Sequence, residues 1–102
     1  GLHVWTADAA SAEDRAAWSK KLSDIAALKP AVVVPGHAAA GAAQDASQVA
    51  FTQTYLQRWD AELKKASDSA TLIGAMKAAY PTAGLGIALE IGAKVATGEM
   101  KW

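Results

Sequence analysis

The chain contains no cysteine, only two histidines and only seven aromatic side chains in 102 residues. The absence of cysteine excludes disulfides and thiolate metal sites, and it leaves the cellular compartment open. Ten basic and ten acidic residues cancel, and no basic patch with interleaved aromatics is present. No signal peptide or long hydrophobic run is visible either. We therefore expect neither nucleic acid nor a membrane among the partners.

Large apolar side chains are scarce, although hydrophobic residues make up 52% of the chain. Alanine alone supplies 26 of the 102 residues, and each buried alanine removes little apolar area from water. The core must therefore come from close helix packing or from a partner. These proportions favour a fragment or an obligate oligomer over an independent domain.

One short stretch, residues 31–37, carries most of the chemical information. Three consecutive valines, Val32 to Val34, predict a short and fully buried strand. Pro35 cannot donate to a sheet ladder, so the strand should end there, and Gly36 permits a tight turn. His37 then follows the strand end, where open α/β sheets form their binding crevices. A neutral imidazole at that place is a candidate metal ligand.

The sequence Val33-Val34-Pro35-Gly36-His37 resembles the late V-x-P-G-H motif of the metallo-β-lactamase-fold hydrolases. A helix before the motif and a long helix after it are similar to that family as well. The resemblance implies that His37 is a metal ligand, with one or two zinc ions in the intact protein. It also implies that a metal-held hydroxide attacks an ester, amide, thioester or phosphoester of a small-molecule substrate.

The main signature of that family, H-x-H-x-D-H, is absent from this chain. The resemblance therefore implies a C-terminal part of a longer hydrolase, inactive alone, whose partner is the missing N-terminal part. It divides the chain into a C-terminal α/β part, residues 1–43, and a helical extension of the same domain, residues 44–102.

The predicted fold class is an α/β fragment. Alternating residues and the valine run predict strands over about 2–6 and 31–34, with a helix over about 12–28 between them. Capping residues and apolar spacing predict three further helices, over about 46–65, 70–80 and 85–97.

Three other side chains invite a functional interpretation. His3 could bind a metal, but a lone strand histidine is more often a surface or hydrogen-bonded core residue. Asp8 could be a metal carboxylate, but an aspartate ahead of a helix is more often its cap. Tyr55 could contact a substrate, but an aromatic residue on a helix ridge is usually core. We expect no second imidazole near His37 and therefore no catalytic triad.

The alternative to a hydrolase part is a self-contained, mostly helical interaction domain without a catalytic role. It would form a homodimer through a ridge at Phe51 and Tyr55, or through a stripe of small residues at Ala88, Gly92 and Ala96. Small residues at four-residue spacing let two helix backbones approach closely. Such a domain would be indifferent to metals.

Overall fold

The computed structural model describes residues 1–102 and contains four α-helices. They are α1 (Ala12–Ala27), α2 (Ser47–Lys65), α3 (Ser69–Ala79) and α4 (Gly86–Ala96). Each lies within one residue of the bounds expected from the sequence.

Local hydrogen bonds explain where these helices begin and end. The Ser11 hydroxyl accepts from the Asp14 backbone N–H at 3.0 Å, which caps α1, and Asp68 accepts from the Thr71 N–H at 2.8 Å, which caps α3. Ahead of α2, Asp45 accepts from the Ser47 N–H at 2.9 Å. Gly98, just after α4, has φ +80°, the left-handed conformation in which helices commonly end.

The α/β prediction is wrong, because the chain contains no sheet. The only ladder contact is a single parallel bridge between Leu2 and Gly84. The segment 31–34 is neither helix nor strand, and Val32 and Val34 are 66% and 70% exposed instead of buried. A strand is stable only when another strand satisfies its backbone groups, and nothing in this chain pairs along these residues.

The apolar core lies between α2, α3 and α4. Its fully buried members are Tyr55 and Trp59 from α2, Leu72 and Met76 from α3, and Leu89 and Ala93 from α4. Aromatic contacts extend the core outward, since Tyr80 packs against both Tyr55 and Phe51. The second half of the chain therefore holds most of the apolar burial.

Helix α1 is attached to α2 mainly through polar contacts. Arg15 is its one buried residue, and the guanidinium donates to Asp60 at 2.5 Å and to the carbonyls of Ala9 and Ala10 at 3.0 and 2.8 Å. Gln53 of α2 adds two more hydrogen bonds, to residues 19 and 23. The sequence predicts that α1 lies on a sheet through an apolar face. That face instead stays half-buried at Trp18 and Leu22 and exposed at Ile25 and Leu28.

The small-residue stripe of α4 packs inside the chain. Ala88 and Gly92 are buried. A Cβ atom at Gly92 would overlap the Thr6 hydroxyl, so the N-terminal segment is what approaches this helix closely. Tyr55, from the other predicted dimer surface, is fully buried as well. Both surfaces suggested for a homodimer are thus largely occupied by the chain itself.

Candidate functional site

A cavity of about 370 Å³ lies between the N-terminal segment, α1, the loop after α1 and the start of α2. Most of its lining is hydrophobic, and its larger apolar side chains include Trp5, Trp18, Leu22, Ile25, Val49 and Phe51. Gly36 and His37 line it and are exposed, so the cavity is open to solvent on the side of that loop. This cavity brings both histidines of the chain together with an aromatic wall.

His37 reaches the cavity from the loop that joins α1 to α2. A backbone hydrogen bond from the Val33 N–H to the Gln44 carbonyl, at 3.1 Å, ties the two arms of that loop together. Lys29, at the beginning of the loop, has φ +49°, which turns the chain away from the axis of α1. The loop delivers His37 to the site without the strand that the sequence predicts.

His3, which lies in the N-terminal segment, lines the same cavity. It is buried, its Nδ1 lies 2.9 Å from the Tyr55 hydroxyl, and its backbone N–H donates to the Gly84 carbonyl at 2.8 Å. The sequence favours a surface or hydrogen-bonded core residue at this position, and His3 is the second of these. Although the sequence offers no second imidazole close to His37, both histidines belong to the lining of one cavity. No local pattern relates two residues so far apart in the chain.

The surroundings of His3 favour its neutral form. Burial lowers the pKa of His3 below its ordinary value, and the positive charge of Lys77 lowers it further. Burial raises the pKa of the Tyr55 phenol, while a hydrogen bond with the Val4 backbone acts in the opposite direction. Tyr55 therefore keeps its proton, and the tautomer of His3 sets which of the two groups donates in their hydrogen bond.

Asp8 has a different role from those weighed in the sequence, whereas Tyr55 is the core residue that its place on a helix ridge predicts. Asp8 does not cap α1; its carboxylate accepts from the indole N–H groups of Trp5 and Trp102, at 2.9 and 2.6 Å. Tyr55 is fully buried and does not line the cavity, but its hydroxyl contacts His3, which does. The C-terminal Trp102 also packs here, since its ring meets the Trp5 ring edge-on with the ring centroids 4.8 Å apart.

The side chains of this site do not make a metal centre by themselves. A catalytic zinc takes three protein ligands, whereas no three histidine or carboxylate groups cluster anywhere in the chain. The cavity offers two imidazoles, and no carboxylate lines it. The chain therefore supplies at most part of a metal site.

None of the four helices combines the length and the apolar character that crossing a membrane requires. Comparison with known proteins finds no matching family model, no similar curated protein and no similar solved structure.

Proposed function

We propose that this chain is the C-terminal part of a zinc-type, metal-dependent hydrolase of the metallo-β-lactamase superfamily, to which it contributes His37 as one metal ligand. The observation that carries the proposal is the motif Val33-Val34-Pro35-Gly36-His37, whose histidine stands exposed at the opening of a cavity. The remaining ligands would come from the preceding part of the same protein, because this chain has no cluster of three.

Exposed apolar side chains around the motif support the proposal. Ile25, Leu28, Val32 and Val34 are between 42% and 81% exposed, and all fall within the ten residues 25–34. Water contact at such side chains costs roughly 25 cal/mol per Å² of apolar area. A neighbouring part of the same protein that covered them would recover that free energy and place further ligands next to His37.

The proposal is tested on the complete product of the gene, by measuring its bound metal and its hydrolysis of ester and thioester substrates. We expect His37→Ala to lose bound metal and most of the activity, while leaving the thermal unfolding of the apoprotein unchanged because the side chain is exposed. The matched control is Gln44→Ala, an exposed residue of the same loop, which should keep both metal and activity. Equal metal content in the wild type and His37→Ala would contradict the proposal.

A helical interaction domain is the second candidate, and the closed core of α2, α3 and α4 favours it. Because the two expected dimer surfaces are largely buried, such a domain would use the exposed apolar residues of α1 and the following loop. It predicts that added zinc changes neither the stability of the protein nor the state of its histidines. Protection against unfolding by zinc separates the two candidates.

A further inference from the structure

Most polar side chains that line the cavity are engaged in hydrogen bonds within the chain, except for the two imidazoles and the Trp18 indole. Gln48 and Thr52 line it, but the Gln48 amide donates to the Ala43 carbonyl at 2.6 Å and the Thr52 hydroxyl donates to the Gln48 carbonyl at 3.2 Å. No aspartate, glutamate, lysine or arginine lines the space. The side chains left to recognise a ligand are therefore the imidazoles of His3 and His37 and the indole N–H of Trp18, set in an otherwise apolar wall.

His3 is held with a donor available to the cavity. Its Nδ1 is hydrogen-bonded to the Tyr55 hydroxyl, and its Nε2 makes no hydrogen bond to the chain. The only fully enclosed side-chain atoms that lack a partner are Thr6 Oγ1 and Trp59 Nε1, so His3 Nε2 keeps accessible surface. In the tautomer in which Nδ1 accepts from the Tyr55 hydroxyl, Nε2 carries the hydrogen and can donate it to a ligand in the cavity that His3 lines.

These features define the chemical class of a ligand. We propose that the cavity binds a compact apolar monocarboxylate, such as an arylalkanoate, with its carboxylate on His3 and His37 and its apolar body against the aromatic wall. N–H groups that meet a carboxylate form charge-assisted hydrogen bonds, which are about twice as strong as neutral ones. A cationic ligand finds no anionic side chain here, and a strongly polar ligand would leave most of its groups unpaired.

The size of the cavity agrees with this class. Its volume of about 370 Å³ is at the lower end of small-molecule pockets, which run to about 1,000 Å³. Trp18 and Phe51 supply broad faces on which an aromatic ring can pack.

The biological role of the site rests on the proposed function. Water-driven hydrolysis of an ester, amide or thioester yields a carboxylate and a proton, together with an alcohol, amine or thiol. The cavity would then hold the acyl side of the substrate and the carboxylate product. Binding of a carboxylate to this chain, by contrast, requires neither metal nor catalysis.

The test is a titration of the metal-free 102-residue chain with 4-phenylbutyrate, followed by the ring nitrogen and carbon signals of the two histidines. The control ligand is 4-phenylbutanol, which has the same apolar body without the carboxylate. We expect saturable binding in the millimolar range or tighter, with shifts at both imidazoles. The alcohol should bind at least about tenfold more weakly, as expected for losing one hydrogen bond to a charged group.

Two variants test whether 4-phenylbutyrate binds at the two imidazoles. His37→Ala changes an exposed residue and should weaken 4-phenylbutyrate about tenfold with the fold intact, and His3→Gln should do the same if the chain remains folded by circular dichroism. Absence of saturation, equal affinity for the alcohol, or shifts confined to Trp102 would each overturn the inference. The metal measurement on the complete gene product is independent of this result, so either proposal can fail alone.

Discussion

Among single residues, His3 connects the core of the protein to its cavity. It contacts the buried Tyr55 on one side and lines the open cavity on the other. Because its pKa is lowered by burial, the folded state resists protonation at a pH where the unfolded chain, with an ordinary histidine pKa of about 6.5, already binds a proton.

This difference predicts how stability depends on pH. The unfolded state binds more protons than the folded state as pH falls below about 6.5, so the contribution of His3 is complete above that pH and is lost as pH falls toward the lower folded pKa. We expect the free energy of unfolding, measured by urea titration, to fall between pH 7 and pH 5. His3→Gln should flatten that decline, and an equally steep decline in the variant would contradict the assignment.

Gly92 is the second residue with a clear prediction. A methyl group there would overlap the Thr6 hydroxyl and lie 3.4 Å from the Trp59 ring, so Gly92→Ala should destabilise the chain by about 1–3 kcal/mol in a denaturant titration. Gly74, inside α3 with nothing within 4 Å of its Cβ position, is the matched control. Gly74→Ala should stabilise by about 0.5–1 kcal/mol, since alanine is the better helix former.

The Thr6→Ala change tests whether overlap with the Thr6 hydroxyl causes the loss of stability in Gly92→Ala. Combined with Gly92→Ala, it removes the hydroxyl that the new methyl group overlaps, and it should restore a large part of the lost stability. If the changes in the free energy of unfolding of the two substitutions simply add, the close approach between the N-terminal segment and α4 is not what disfavours a side chain at Gly92.

Among the elements, α1 is held by a few polar contacts of Arg15. Arg15→Gln should cost about 1–3 kcal/mol, because two backbone carbonyls and Asp60 lose a charged donor, while Asp60 remains 36% exposed and regains water. Amide hydrogen exchange should show faster exchange in α1 than in α3 and α4. Lys20→Gln removes an exposed pair with Asp24 and should change stability by less than about 0.5 kcal/mol.

The helices could be predicted from the sequence because their signals are local. Caps such as Ser11 and Asp68, and glycines such as Gly98, act within a few residues of themselves and mark the helix ends. The predicted strands failed because a strand depends on a partner elsewhere, which three valines cannot reveal. The same limit applies to α1, whose apolar spacing indicates a buried face that the chain leaves largely uncovered.

The site could be predicted only in part. His37 was identified from its motif, and the structure places it in a cavity, but its role as a metal ligand stays a prediction. His37 and His3 line the same cavity because of how the N-terminal segment lies across α2 and beside Gly84. No spacing of residues in the sequence predicts this arrangement. Asp8 is not the cap that the sequence predicts, because its carboxylate accepts from the indoles of Trp5, three residues earlier, and of the distant Trp102.

For the whole molecule, Trp102 ties the C-terminal tail to the N-terminal segment. Its indole donates to Asp8 and its ring meets Trp5, although 66% of the residue is exposed. Trp102→Ala should therefore cost about 0.5–1.5 kcal/mol, and Trp102→Phe, which keeps the ring contact without the N–H donor, should cost less. Unchanged stability in both variants would show that the tail contributes nothing to the fold.

The distribution of apolar surface also concerns the molecule as a whole. The core of α2, α3 and α4 is closed, whereas the apolar side of α1 and the valines after it remain open to water beside the cavity. This asymmetry fits a chain whose N-terminal half is completed by another part of the protein, and it agrees with the proposal that His37 shares its metal with ligands from that part.

The most direct test of that proposal is to read the coding sequence upstream of Gly1 over roughly 150–200 residues, the length of one further domain. We predict an H-x-H-x-D-H motif in that sequence, whose side chains would be the other metal ligands beside His37. A reading frame that begins at or just before Gly1 would contradict the hydrolase proposal and leave the helical interaction domain as the function to pursue.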